Sequence, residues 1–137
     1  MLIEDQLKFA MHAISNCMVI GDKRKFLSVI LCLKVHLDEH GVPTHKLSDV
    51  AIETSIAIGS AATTTDEARE CSKWKDYFDN GVKEANSKAA SRAQTVGKWV
   101  LLSTDFSVDG GELTPTLKLK RDVAAKKYSD VIEAIYA

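Results

Sequence analysis

The sequence predicts an α+β fold in which a small three-stranded sheet is covered by helices. Two neighbouring apolar runs of strand length lie early in the chain, a third lies near residue 100, and stretches of helical periodicity precede, separate and follow them. With 137 residues the chain has the length of one domain. We therefore expect residues 1–137 to form a single unit.

The first half of the chain supplies one helix and two strands of this sheet. Apolar residues recur at helical spacing over residues 2–14, which predicts an amphipathic helix. Residues 17–20 and 26–37 are rich in apolar and β-branched side chains and are separated by a turn that begins at Gly21 and Asp22. Two adjacent strands are the natural interpretation.

The second half is mostly helical. Residues 38–49 carry Gly and Pro and are read as a connector, and two short helices follow, capped by Ser48 and Thr65. A longer helix is predicted over residues 77–96, the third strand begins at Lys98, and residues 122–136 form the last helix. We expect so small a sheet to bury only one face well and to lean on something outside this chain.

Composition excludes several classes of protein. Hydrophobic residues make up 45% of the chain and charged residues 27%, and the mean hydropathy is −0.09, as in soluble globular proteins. A net charge of −1 excludes the broadly basic surface of a nucleic-acid-binding domain. No apolar run approaches the roughly 18 residues that span a bilayer, and a signal peptide is lacking. A cytoplasmic protein is expected, with association with a membrane surface left open.

No metal site or disulfide framework is expected. The three cysteines are odd in number and widely spaced, so Cys17 and Cys32 are read as buried apolar residues and Cys71 as unactivated. A zinc site is the alternative for one histidine-rich segment, but an extended backbone gives its side chains no fixed common geometry. That segment contains His36, Asp38, Glu39, His40 and His45.

Two basic segments are candidates for contact with an anion. A phosphate-binding loop, a dinucleotide fingerprint and a serine nucleophile elbow are all absent from the sequence. Lys23, Arg24 and Lys25 lie on the predicted strand-connecting turn, where the alternatives are a solvated turn and contact with a phosphate or an acidic partner.

The second basic segment, 110–127, has five cations against two anions. In an extended stretch Lys118 and Lys120 would project to one side, while Leu117 and Leu119 anchor the loop on the other. On composition alone, a solvated loop and an anion-binding role remain equal alternatives.

Three stretches together resemble the C-terminal domain of AMP-forming long-chain acyl-CoA synthetases of the bubblegum type. They are "SNCMVIGDKRKFLSVILCLKV", "GKWVLLSTDFSVDGGELTPTLKLKRDVAAKKY" and the helical segment between them. With the flanking helices included, the resemblance extends from Ile3 to Tyr136. "TPTLK" at 114–118 resembles the T-P-S-G-K motif of the adenylate-forming superfamily, with Leu117 where the common motif has glycine. This alignment implies that Lys118 is the catalytic lysine, with Lys120 as the alternative.

The resemblance implies a two-step reaction in a longer enzyme. A fatty acid and MgATP give acyl-AMP and pyrophosphate, and coenzyme A then displaces AMP to give acyl-CoA. The C-terminal domain swings between the two steps, so Gly110 and Gly111 are expected to serve loop mobility, and Lys23, Arg24 and Lys25 become candidates for the coenzyme A phosphates.

The resemblance also implies what this chain lacks. The N-terminal adenylation domain, with its ATP loop and fatty-acid tunnel, is its expected partner within the same polypeptide. We expect the isolated domain to fold, to be inactive alone and to carry no bound ATP, Mg²⁺ or coenzyme A. The alternatives are a stand-alone module that binds an anion or a protein through residues 118–127, and a purely structural domain.

Overall fold

A three-stranded sheet lies at the centre of the fold. The computed structural model describes residues 2–89, 91 and 94–137, and its helices and strands in chain order are α1 (Ile3–Ala10), β1 (Ile14–Ile20), β2 (Leu27–Leu33), β3 (Val35–Leu37), β4 (Pro43–Leu47), α2 (Asp49–Ala57), α3 (Thr65–Arg69), α4 (Ser72–Ser87), β5 (Val96–Leu101), α5 (Arg121–Lys127) and α6 (Ser129–Tyr136). β2 is the middle strand, antiparallel to β1 and parallel to β5. The predicted α+β class and its three-stranded sheet are confirmed.

Both faces of the sheet are covered, so the expectation of one poorly covered face is wrong. Alternate side chains of β2 point to opposite faces, which explains why every residue of the strand except Ser28 is apolar. Val29, Leu31 and Leu33 enter one buried cluster with side chains from α1, α2 and α4, among them Leu7, Ala51, Trp74 and Phe78. Ile30 and Cys32 enter a second cluster with side chains that include Phe106, Ala124 and Ile132, the last two from α5 and α6.

A second, two-stranded sheet was missed by sequence analysis. The predicted strand 26–37 is two strands, since β2 ends at Leu33 and β3 begins at Val35, and the predicted connector contains β4. The hairpin turn is closed by Asp38, whose carboxylate accepts hydrogen bonds from the backbone N–H groups of His40 and Val42 at 2.8 and 2.9 Å. Gly41 follows with a φ of +79°, a conformation that glycine adopts without strain.

The helix caps agree with the prediction at one helix and are displaced by one residue at the next. Ser48 caps α2 by accepting a hydrogen bond from the N–H of Ala51. α3 is capped by Thr64 instead of Thr65, and the buried Thr65 hydroxyl donates to the Ser103 carbonyl at 2.7 Å. Adjacent threonines are equivalent caps by sequence, so only the direction of each side chain decides between them.

Two predicted helices have different bounds. The helix expected over 77–96 begins earlier, at Ser72, and ends at Ser87, and the predicted helical position Ala93 lies outside the described residues. The helix expected over 122–136 is divided at Tyr128 into α5 and α6. Across residues 2–89, 91 and 94–137, no helix has the length and apolar character needed to cross a membrane.

Candidate functional site

The basic loop before α5 folds into a tight hairpin. Leu113 and Leu119 form an antiparallel bridge, and the N–H of Leu117 donates to the carbonyl of Thr114 at 2.7 Å. The N–H of Thr114 in turn donates to the Lys118 carbonyl at 2.8 Å. Pro115 occupies the second position of the turn, where its fixed φ is favourable. The loop is therefore an ordered turn that presents Lys118 at its end.

Leu117 has an unusual backbone conformation in this turn. Its φ is +66°, in the left-handed region that such three-residue hairpin loops require and that glycine fills most easily. A leucine there costs roughly 1 kcal/mol. The predicted anchoring by Leu117 is wrong, because its side chain is 69% exposed. Leu119 does anchor the hairpin as predicted, since it packs against the cluster around Ile30 and Cys32.

The side chains of Lys118 and Lys120 are exposed and unpaired. Neither ammonium group forms a hydrogen bond or ion pair with any described residue. The backbone of Lys118 is nevertheless fixed, because its N–H donates to the Thr114 hydroxyl at 3.0 Å. Lys120 lies at the base of the hairpin, where its N–H donates to the Glu112 carbonyl at 2.7 Å. The two candidate cations thus share one hairpin but occupy different ends of it.

The base of the hairpin is held by Glu112, a residue that sequence analysis did not single out. Its carboxylate is 1% exposed and accepts hydrogen bonds from Lys127 at 3.0 Å and from the hydroxyl of Tyr128. It also accepts from the N–H of Ser107 at 3.2 Å. Burial by itself raises the pKa of Glu112, but the hydrogen bonds that its carboxylate accepts, first those from Tyr128 and Lys127, together outweigh burial and hold the pKa below its ordinary value.

The excess charge of segment 110–127 is only partly free. Lys127 pairs with Glu112, and Arg121 pairs with Glu4 of α1, whose carboxylate also accepts from the N–H of Val19 at 2.7 Å. The remaining cations of this segment are exposed, and their ammonium groups pair with no side chain among the described residues: Lys118, Lys120 and Lys126. The cations that face solvent are therefore concentrated at the hairpin and on one side of α5.

Gly110 and Gly111 have structural reasons to be glycine. A Cβ on Gly110 would lie 2.3 Å from a carboxylate oxygen of Glu112, so a side chain would displace the buried acid. Gly111 has a φ of +88°. The predicted role of the pair in loop mobility stays a prediction.

In the basic β1–β2 turn, Arg24 contacts other side chains, whereas Lys23 and Lys25 have no side-chain partner in the part of the chain that the structure describes. Arg24 forms an ion pair with Glu133 of α6 and lies over the Tyr136 ring at 4.7 Å from its centre. Lys23 and Lys25 are exposed, and Lys23 has a φ of +59°. Arg24 also lines a groove of about 370 Å³ between this turn and the α5–α6 helices, which Arg121 borders from the other side.

The histidine-rich segment is not brought together as a metal site. Within the described ranges, no group of three His, Cys, Asp or Glu side chains could hold a metal ion. Asp38 is used to close the β3–β4 turn, and His45 contacts the Ser103 carbonyl at 2.8 Å. The buried positions predicted for Cys17 and Cys32 are confirmed, with 4% and 0% exposure.

Curated relatives of this chain are fatty-acid ligases. Long-chain-fatty-acid–CoA ligase ACSBG2 of Gallus gallus is 46% identical in an alignment of 138 positions, gaps included, that covers 98% of this chain and 18% of the relative. Long-chain-fatty-acid–CoA ligase ACSBG1 of Mus musculus is 41% identical, and ACSBG1 of Homo sapiens is 42% identical. Each of these two alignments covers 98% of this chain and 19% of the relative. The chain is a homologue of one segment of the bubblegum-type long-chain-fatty-acid–CoA ligases. It spans about a fifth of the length of these relatives.

Solved structures show that this chain has the fold of one part of adenylation-domain proteins. The adenylation domain of a carboxylate reductase from Mycobacterium chelonae matches with a TM-score of 0.63 at 18% identity, over 98% of this chain and 17% of that one. The A-PCP didomain of a carboxylic acid reductase from Segniliparus rugosus in complex with AMP matches with a TM-score of 0.62 at 16% identity. This match covers 98% of this chain and 15% of the didomain chain. No protein-family model matches the chain.

Proposed function

We propose that this chain is the mobile C-terminal domain of an AMP-forming long-chain fatty acid–CoA ligase and that it supplies Lys118 to the adenylation step. The observation that carries the proposal is the placement of Lys118, an exposed cation without a partner among the described residues, at the end of a hydrogen-bonded hairpin in a chain 46% identical to one segment of such a ligase. The N-terminal adenylation domain, in the same polypeptide, would bind ATP with Mg²⁺ and the fatty acid.

The chemistry of adenylation explains why a free lysine is useful. The fatty acid carboxylate attacks the α-phosphate of ATP, forming a C–O–P linkage and releasing pyrophosphate, while negative charge accumulates on the oxygens between them. A preorganised cation stabilises this developing charge without exchanging a proton. Lys118 suits this role because no carboxylate of the described residues neutralises its ammonium group.

The hairpin suits delivery of that lysine as a rigid unit. Glu112 connects the base of the hairpin to Lys127 and Tyr128 through hydrogen bonds. Lys118 is therefore expected to move together with α5 and not independently on a flexible loop. In the second half-reaction the thiol of coenzyme A displaces AMP to form the thioester, and Lys118 is withdrawn. Gly110 and Gly111 allow the backbone path that makes this unit.

The proposal is tested by separating the two half-reactions in the full-length ligase. Lys118→Ala is expected to slow pyrophosphate release about 10²- to 10³-fold, the loss typical for removal of one preorganised stabilising group. Thioesterification from supplied acyl-AMP should be nearly unchanged. Lys120→Ala is the matched control, since it removes an exposed, unpaired cation from the same hairpin.

The alternatives give other outcomes. If only Lys120→Ala loses adenylation, the functional cation is Lys120 and the motif alignment is displaced by two residues. If neither variant affects pyrophosphate release, the domain acts as a binding or structural module through residues 118–127.

We further propose that Lys23 and Lys25 contact the phosphates of coenzyme A. Arg24 is a weaker candidate because its guanidinium is already held by Glu133 and Tyr136. The double variant Lys23→Ala/Lys25→Ala should raise the KM for coenzyme A roughly three- to tenfold, as expected for solvent-exposed charge pairs, and leave pyrophosphate release unaffected. An unchanged KM at low salt would exclude these two lysines.

A further inference from the structure

The hairpin explains the backbone conformation at position 117, but it does not explain why the residue there is a leucine. Its φ of +66° is unfavourable for leucine, and its side chain is 69% exposed and belongs to neither buried cluster. Glycine would accept this backbone without strain and is the usual residue at this position of such a hairpin. The leucine therefore carries a conformational cost with no compensating burial inside the chain.

The combination of strain and apolar exposure is specific to this position. Among the described residues, the non-glycine residues with positive φ are Lys23 and Leu117. Lys23 is a charged side chain on a solvated turn, which has an evident reason to be exposed. Other large apolar side chains are similarly exposed, such as Ile56 of α2 at 72%, but they lie in ordinary backbone conformations. Backbone strain that persists without local compensation is typical of functional positions.

We propose that Leu117 is a positioning residue for adenylation. Its side chain packs on an apolar surface of the adenylation domain beside the carboxylate end of the bound fatty acid, and this contact fixes Lys118 at the reacting oxygens. The inference rests on the proposed function, because it requires that Lys118 is delivered to that site.

Two observations support an apolar surface beside the fatty acid as the contact partner of Leu117. Leu117 and Lys118 are consecutive residues on one hydrogen-bonded turn, with Cα atoms about 3.8 Å apart, so a domain that encloses the Lys118 side chain also borders the turn that carries Leu117. A fatty acid is apolar beyond its carboxylate, so a pocket that holds it needs apolar walls close to the reacting group. The chain spans about a fifth of its relatives, so the remaining part has room to provide such a wall.

The contact acts on the rate more than on substrate affinity. Burial of one leucine side chain at the interface between the two domains stabilises the docked state. If adenylation proceeds from the docked state, this stabilisation corresponds to about a tenfold higher rate of adenylation. Because ATP and the fatty acid bind to the other domain, their KM values should move less than kcat.

The test compares variants of the full-length ligase in both half-reactions. Leu117→Gly and Leu117→Asn both accept a positive φ, and both are expected to lower kcat for pyrophosphate release about tenfold with KM values within about twofold. Leu117→Met keeps an apolar side chain of similar volume and should retain most of the rate. Ile56→Ala is the control, because it removes an equally exposed apolar side chain from another surface. Thioesterification of supplied acyl-AMP should be unchanged throughout.

Three outcomes would overturn the inference. Wild-type pyrophosphate release by Leu117→Gly and Leu117→Asn would show that the side chain has no role, and an equal fall in both half-reactions would show a general structural effect. A loss in Leu117→Met as large as in Leu117→Gly would exclude apolar packing. Lys118→Ala, measured in parallel, distinguishes the failure of the Leu117 inference from the failure of the proposed function. If Lys118→Ala loses adenylation and Leu117→Gly does not, only the inference about Leu117 fails. If Lys118→Ala also keeps adenylation, the proposed function fails.

Discussion

The backbone of Leu117 should have a measurable effect on the stability of the chain. Leu117→Gly removes the strain of a positive φ while giving the unfolded state more freedom, and the first effect is the larger. We expect the free energy of unfolding of the 137-residue chain to rise by about 0.5–1 kcal/mol, measured by denaturant titration. Gly111→Ala, at a φ of +88°, is the converse control and should destabilise the chain by at least as much.

A fall in stability for Leu117→Gly would contradict this account of the turn. It would mean that the leucine makes a stabilising contact within the chain, and the reason for seeking its partner elsewhere would disappear.

The buried carboxylate of Glu112 should make stability depend on pH. Burial raises the folded-state pKa of Glu112, but the hydrogen bonds to its carboxylate, first those from Tyr128 and Lys127, together hold the pKa below its ordinary value. The ionised group therefore stabilises the fold above its unfolded pKa of about 4.3, and this contribution is lost as the pH falls through the folded-state pKa. Glu112→Gln, which keeps the shape but not the charge, should cost about 1–3 kcal/mol at pH 7.

The measurement is a series of unfolding curves for wild type and Glu112→Gln from pH 7 downward. The difference in free energy of unfolding should shrink as the pH falls below about 4. A difference that stays constant down to the lowest pH at which the chain folds would show that the charge of Glu112 does not contribute.

At the level of elements, the end of α4 is joined to the edge strand β5 by one side chain. The amide of Asn86 donates to the Val96 carbonyl at 2.9 Å, and its oxygen accepts from the Val96 N–H at 2.8 Å. Asn86 thus occupies the place of a strand partner at the first residue of β5. Two satisfied backbone groups depend on it.

Asn86→Ala should therefore destabilise the chain by about 2 kcal/mol, since it leaves both backbone groups of Val96 without this partner. Ser87→Ala is a close control, because the exposed Ser87 hydroxyl donates to the Glu84 carbonyl within the same helix and, among the described residues, makes no bond to β5. Thermal unfolding of the two variants would decide the matter. Equal stabilities would mean that solvent replaces the Asn86 bonds at no cost.

Sequence patterns predicted the elements that are governed by local periodicity. The strands of the central sheet and the amphipathic α1 follow directly from their apolar spacing. The hairpin of β3 and β4 was missed because its residues are mostly exposed and its turn depends on the Asp38 side chain, which looks like any polar loop residue. The division of the last helix at Tyr128 was missed because both halves share one apolar face.

At the scale of the whole molecule, the candidate site was predictable only in part. Lys118 was identified through a motif of five consecutive residues, which a sequence displays directly. Glu112 was not, because its partners Lys127 and Tyr128 lie 15 and 16 residues away and no periodic spacing connects them. The sequence also could not show which cations of the segment are already paired, since Arg121 pairs with Glu4 from the opposite end of the chain.

The whole-molecule account also predicts how the isolated chain behaves. It carries the candidate lysine but not the proposed ATP and fatty-acid sites, so the 137-residue chain should release no pyrophosphate from ATP and fatty acid. A full-length ligase with this segment deleted should also lose adenylation. Adenylation that survives the deletion at the wild-type rate would show that no residue of this chain takes part in the step.

The central claim is that Lys118 stabilises the charge that develops during adenylation. Its most direct test is the single-turnover rate of acyl-AMP formation by the full-length ligase with Lys118→Ala, under saturating ATP and fatty acid. The account predicts a rate about 10²- to 10³-fold below that of wild type, with thioesterification from supplied acyl-AMP preserved. A wild-type rate of acyl-AMP formation in this variant would contradict it.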